Sequence, residues 1–155
     1  MMMKQRILLV LGLFLTVLTA VAGGRIKVAC VGNSVTWGLT IADREKNCYP
    51  SQLQQMLGNQ YEVKNFGHSG ATLLSHGHRP YIDQKEYQEA LDFKADLVVI
   101  HLGLNDTDPR NWPEYSEEFN ADYIRLIDSF RQANPKAKIW LCQMTPIFDR
   151  HPRFE

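Results

Sequence analysis

The stretch "IKVACVGNSVTWG", residues 26–38, decides how the rest of the chain is read. Residues 26–31 are almost continuously apolar, as a strand buried on both faces requires. The run then breaks into Gly32-Asn33-Ser34, with Thr36 and Gly38 close behind. Turn chemistry alone accounts for Gly and Asn at such a break, and most turn serines do nothing chemical. The alternative is that the turn presents Ser34 as a nucleophile at the rim of a parallel sheet. The choice between the two depends on what else reaches that rim.

Three further apolar runs follow: "YEVKNF" (61–66), "DLVVIHL" (96–102) and "KIWLCQM" (138–144). Helical patterns lie between them. In "YPSQLQQMLG", Pro50 suits a first turn, Leu53, Met56 and Leu57 predict one buried face, and Gly58 suits the end. "DQKEYQEAL" opens with Asp83 and places Glu86 three residues on, which predicts a capping box. In "SEEFNADYIRLIDSFRQANP", Ser116 is the expected cap, while Phe119, Tyr123, Leu126, Ile127 and Phe130 form a buried stripe. The resulting β-α-β-α-β-α-β order predicts an α/β fold: a mainly parallel sheet, right-handed crossovers and helices on both faces. Ligands in such sheets bind beyond the carboxyl ends of the strands.

Three loops leave those ends: "GNSVTWG", "GHSGAT" (67–72) and "GLNDT" (103–107). Each sets Gly beside Ser or Asn. Acyl transfer needs a nucleophile together with donors aimed where an oxyanion forms. Ser34 can supply the first; N–H groups of Gly-rich turns and an amide such as that of Asn105 can supply the second. A phosphate site is a poorer match, because the first loop lacks both G-x-G-x-x-G and the Gly-Lys-Ser/Thr of a P-loop. The three loops also contain no Lys or Arg.

In order and spacing, "GNSVTWG", "NFGHSGAT" and "GLND" resemble the first three blocks of the SGNH (GDSL-like) hydrolases, across residues 26–148. The resemblance implies a flavodoxin-like three-layer α/β/α fold and a serine esterase acting through an acyl-enzyme. In that family pattern Ser34 is the nucleophile, Gly70 offers its N–H to the oxyanion, and Asn105 offers its side-chain amide. The text around "REKNCYPSQLQQMLG" and "YEVKNFGHSGATLL" is similar to secreted members that act as acetyl esterases on sugars. The implied substrate is a small-molecule or carbohydrate ester, with no cofactor and no metal.

Two departures from the pattern stand out. Asn33 replaces the family's Asp before the serine, a change that keeps the turn shape. The family's base sits in an Asp-x-x-His block after a fifth strand, whereas this sequence reaches Glu155 about a dozen residues beyond the fourth apolar run. "FDRHP" offers Asp149 and His151, but two residues apart and directly after that run, so they read as a decoy. His68, His76, His78 and His101 read as loop or rim residues. The expectation is therefore a four-stranded, C-terminally incomplete domain over residues 23–155, nearly inactive for want of its base. Loss of a triad serine or histidine costs about 10⁶-fold in one well-studied hydrolase. An uncharged "IWLCQM" edge further predicts self-association. Two other readings stay open: a non-catalytic remnant or glycan-binding module on the same fold, and a flavodoxin-like binder of a small ligand.

The chain has 155 residues, 22% charged and 45% hydrophobic, which describes one globular domain without repeats. Its first segment differs: Lys4 and Arg6, then "ILLVLGLFLTVL", then Ala20-Val21-Ala22. These features predict a signal peptide over residues 1–22 cleaved after Ala22, a secreted or periplasmic protein, and no stable membrane span after cleavage. Without Lys4 and Arg6, 15 basic residues face 17 acidic ones. No basic run survives, which argues against nucleic acid as a partner. Cys30, Cys48 and Cys142 show no metal-ligand spacing and read as structural thiols.

Overall fold

The computed structural model describes residues 24–112 and 114–144. The expected signal peptide of residues 1–22, together with Asp149 and His151, lies outside the described residues. Four strands, β1 (Ile26–Gly32), β2 (Tyr61–Gly67), β3 (Leu97–His101) and β4 (Lys138–Leu141), form one parallel sheet in the order β2-β1-β3-β4. The register runs from Ile26 beside Tyr61 to Gly32 beside Gly67 and His101, so three strands end together. Two one-turn helices, α1 (Ser34–Trp37) and α2 (Arg44–Asn47), follow β1 and lead into α3 (Tyr49–Leu57). α4 (Lys85–Phe93) and α5 (Phe119–Ala133) complete the crossovers.

Side-chain alternation along β1 sorts the layers. Ala29 and Val31 join Val98, Ile100 and Leu102 in the main core, closed by Ala90 and Phe93 of α4 and by Leu126 and Phe130 of α5. On the opposite face Cys30 meets Tyr49 at the start of α3, and burial pushes the Cys30 thiol up to about 12. Val28 lies there too, with Leu53 and Leu57 of α3 bordering the same apolar cleft.

Several local expectations need correction. Met56 is 83% exposed and does not share the face of Leu53 and Leu57. Gln54 turns inward instead: its Oε1 accepts from Val63 N–H at 2.8 Å and its Nε2 donates to the Tyr61 carbonyl at 3.2 Å. A long polar side chain that satisfies two backbone groups of the neighbouring strand can displace an apolar one. Asp83 belongs to a 3₁₀ turn, Tyr81–Asp83, and α4 starts at Lys85 with Gln84 in the cap position, so no capping box forms. Ser116 opens another 3₁₀ turn, Ser116–Glu118, and α5 starts at Phe119. Leu126 and Phe130 are buried as expected, joined by Asp122. β4 ends at Leu141, with Cys142 just beyond it, although the Cys142 N–H still reaches the Ile100 carbonyl at 2.9 Å. Among the described residues no helix is long and apolar enough to cross a membrane.

Candidate active site

The shared end of β1, β2 and β3 leaves almost no room above the sheet. A Cβ at Gly32 would run into the Thr36 side chain and come within 2.8 Å of the His101 carbonyl oxygen. A Cβ at Gly67 would strike the Trp37 backbone nitrogen and approach the Thr36 carbonyl carbon to 2.8 Å. α1 therefore lies directly across two strand ends, and only glycine at both allows it.

Asn33 is fully buried, and its Oδ1 caps α1 by accepting from Val35 N–H at 3.0 Å. Ser34 follows as the first residue of α1, half-buried. Among the described residues its hydroxyl has no hydrogen-bond partner. Gly38 ends the turn in the left-handed region at φ +91°.

The second loop is fastened to the first by His68 N–H, which donates to the Gly32 carbonyl at 2.9 Å. Gly70 adopts φ +82°, a conformation that favours glycine. Arg79 donates from Nη1 to the Ser69 carbonyl at 3.1 Å and lies against Gly70. The fold thus brings a guanidinium to a rim whose three loops contain no Lys or Arg.

The third loop is fastened to the second. Asn105 donates from Nδ2 to the carbonyl of Ala71, the residue after Gly70, at 2.8 Å. Asp106 is fully buried and accepts from the N–H groups of Leu73 at 3.0 Å and Leu74 at 2.7 Å. Burial raises its carboxyl above the ordinary range, against the lowering pull of those two N–H groups. Buried Asn111 donates from Nδ2 to the Asn105 carbonyl at 2.8 Å, and its Oδ1 accepts from His78 N–H at 2.8 Å.

The loops that carry Ser34, Gly70 and Asn105 are thus tied at one rim. Asp106 and Asn111 do much of the tying, and sequence reasoning passed over both. The one available signal for Asp106 was an acid in an otherwise uncharged block; Asn111, set in "DPRNWP", offered none.

Three histidines are engaged at the surface. His68 Nδ1 lies 2.9 Å from Glu86, His76 Nδ1 lies 2.7 Å from Glu118, and His78 Nδ1 lies 3.2 Å from Asn111 Oδ1. His101 is buried at the end of β3, and among the described residues its Nδ1 has no hydrogen-bond partner. Among the described residues no group of three or more His, Cys, Asp or Glu is arranged to hold a metal ion. A cavity of about 310 Å³ between the second loop and α5 is bordered by Leu73, Ser75, Asp122 and Arg125, apart from Ser34, Gly70 and Asn105.

Comparison with known proteins adds a family, a curated relative and two solved structures. The GDSL-like lipase/acylhydrolase family model matches residues 30–155. An acetylxylan esterase from Xylanibacter ruminicola is 46% identical over 121 residues, an alignment that takes in 78% of this chain and 25% of that protein. The chain thus spans about a quarter of the length of this curated relative. Among solved structures, AlinE4, an SGNH-hydrolase family esterase, matches with a TM-score of 0.56 at 20% identity, covering 77% of this chain and 59% of its own. A family two carbohydrate esterase from Cellvibrio japonicus matches with a TM-score of 0.51 at 19% identity, covering 76% and 42% respectively. At these identities the structural likeness is one of fold.

Proposed function

The chain belongs to the GDSL-like lipase/acylhydrolase family, and from that premise we propose that it carries the nucleophile and oxyanion donors of a serine esterase for acetyl groups on carbohydrate. The single observation that carries this reading is the Ser34 hydroxyl, without a hydrogen-bond partner among the described residues, on the turn that Asn33 caps, at the rim where the Gly70 and Asn105 loops are joined. The acetylxylan esterase relative makes acetylated xylan the first substrate to try.

In this mechanism Ser34 Oγ attacks the ester carbonyl, and the tetrahedral oxyanion takes hydrogen bonds from the Ser34 and Gly70 N–H groups and the Asn105 amide. Collapse breaks the bond to the sugar oxygen, which leaves as the alcohol with the serine's proton. Water then cleaves the acyl-enzyme, releasing acetate and restoring the hydroxyl. No general base is assigned to the described residues, because their histidines are committed to other partners or buried at β3. The 23–155 span as one esterase domain, export and cleavage after Ala22 belong to the same proposal.

Labelling with a serine-reactive phosphonate tests it without relying on turnover. With no base assigned, Ser34 is expected to take the label only slowly and under excess reagent, and Ser34→Ala is expected to abolish both that labelling and any acetate release. Labelling that survives Ser34→Ala would remove the reading and favour the glycan-binding alternative.

A further inference from the structure

We propose that Arg79 is a positioning residue of the candidate active site, whose guanidinium holds the Ser69–Gly70 peptide in the orientation that presents the Gly70 N–H as an oxyanion donor. The inference rests on the esterase reading for the use made of that N–H, and on separate observations for the holding.

The chain around Gly70 makes a tight turn. Ala71 N–H donates to the His68 carbonyl at 3.1 Å, so Ser69 and Gly70 are its central residues. Gly70 has φ +82°, whereas Ser69 is not among the residues with positive φ, which makes this a type II turn. A type I turn joins the same ends through the same closing bond. It differs in the peptide between the central residues, which is rotated by about half a turn. Here that peptide is Ser69–Gly70, and its N–H is the one the esterase reading gives to the oxyanion. Glycine permits both signs of φ, so residue 70 allows the orientation without enforcing it. The closing bond does not enforce it either. A group outside the turn has to.

Arg79 is placed to do so. Its Nη1 donates to the Ser69 carbonyl at 3.1 Å, and no other donor to that oxygen is found among the described residues. A Cβ placed on Gly70 would sit 3.0 Å from Nη1 and 3.6 Å from both Cδ and Cζ, so the side chain lies along the open side of the glycine. The carbonyl and N–H of a trans peptide point in opposite directions. Fixing the oxygen therefore fixes the N–H and aims it away from the guanidinium. Arg79 thus acts through the peptide and not on the reacting atoms. A donor on the carbonyl also polarises the amide, which strengthens its N–H as a donor. The Arg79 side chain is exposed, but its root is anchored. Thr72 N–H donates to the Arg79 carbonyl at 2.8 Å, and the Thr72 carbonyl accepts from the N–H of buried Tyr81 at 2.9 Å. Those backbone bonds survive a change of side chain.

Phosphonate labelling of Ser34 in the full chain, run under excess reagent and resolved into KI and kinact, tests the inference. Arg79→Met keeps an unbranched stem beside Gly70 and removes the donor. Its kinact is expected to fall about tenfold with KI held within about twofold, a share of the roughly 10²–10³ that loss of one oxyanion donor costs. Arg79→Ala should fall likewise and regain rate in millimolar guanidinium chloride, which fits the vacated space. Arg79→Met, with that space filled, should not regain it, and sodium chloride should rescue neither. A second readout needs no labelling. The nuclear Overhauser effect between Ser69 Hα and the Gly70 N–H is strong in a type II turn and weak in type I, and it should drop in Arg79→Met. A kinact in Arg79→Met equal to the parent's, or an undiminished Overhauser effect, would each overturn the proposal. If the parent takes no label at Ser34 while the Overhauser effect drops, the esterase reading falls and the hold of Arg79 on the peptide stands. Labelling that depends on Ser34 but not on Arg79 does the reverse.

Discussion

Asp106 shows how one carboxylate organises a site without belonging to its chemistry. Its two oxygens hold consecutive N–H groups, Leu73 and Leu74, in a place closed to water. Removing the acceptor leaves two buried donors unmatched, at about 1–3 kcal/mol each. Asp106→Ala is therefore expected to lower stability by about 2–4 kcal/mol in urea unfolding, and a loss under about 0.5 kcal/mol would contradict the role assigned here. The effect should also depend on pH. Because burial raises the folded carboxyl above its ordinary value of 3.8, its contribution is complete below that pH and declines as pH rises through the folded value. The gap between parent and Asp106→Ala should accordingly be wider at pH 4 than at pH 7. At this scale the sequence was only partly readable. Ser34, Gly70 and Asn105 stood out because each sits in a Gly-rich break after an apolar run. Asp106 and Asn111 have the composition of solvated loop residues, and their depth comes from contacts with residues 73–78, which adjacency in the chain does not encode.

The elements that place Ser34 depend on two glycines at matched positions of neighbouring strands. Gly67 of β2 faces the backbone of Trp37 and Thr36, neither of which can swing aside. Gly67→Ala is expected to cost about 1–3 kcal/mol by overpacking and to slow phosphonate labelling of Ser34, since α1 must shift. Gly58→Ala is the matched comparison. Gly58 has a positive φ, +71°, which Gly67 does not, and nothing lies within 4 Å of its added Cβ, so only backbone strain of about 1–3 kcal/mol applies, with labelling unaffected. Equal labelling rates in the two variants would show that the α1 contact does not set the serine. The strands were legible because a segment buried on both faces must be apolar throughout. Helix starts were less so. Ser116 and Asp83 have the right side chains for caps, but each falls in a 3₁₀ turn, so the helices start later, at Phe119 and Lys85. Met56 was misplaced because Leu53, Met56 and Leu57 fit one helical face on spacing alone, while the hydrogen bonds of Gln54 to β2 turn the helix so that Met56 meets solvent.

Across the whole molecule, the two faces of the sheet are covered unequally. α4 and α5 close one face over a continuous core. On the other, α3 covers β2 and β1, and an apolar cleft of about 200 Å³ opens between Leu53, Leu57, Leu97, Val99 and Trp140. Trp140 is 66% exposed and Leu141 52%. Among the described residues β4 pairs only with β3, so its outer backbone groups add hydrogen-bonding capacity to that apolar surface. The alternation of strands and helices pointed in advance to a parallel sheet with right-handed crossovers. Which face stays open was not legible, because it depends on where α3 packs. Burial of side chains the size of Trp140 and Leu141 contributes about 1.5–3 kcal/mol each, enough for pairing at moderate concentration but not for a tight complex. Sedimentation velocity is expected to show concentration-dependent association of the chain. Trp140→Glu, which sets a charge on the open face next to the unpaired edge, should return it to monomer. A parent chain that sediments as a monomer at every concentration would mean that this face is protected in solution, and that Trp140 is exposed without consequence for assembly.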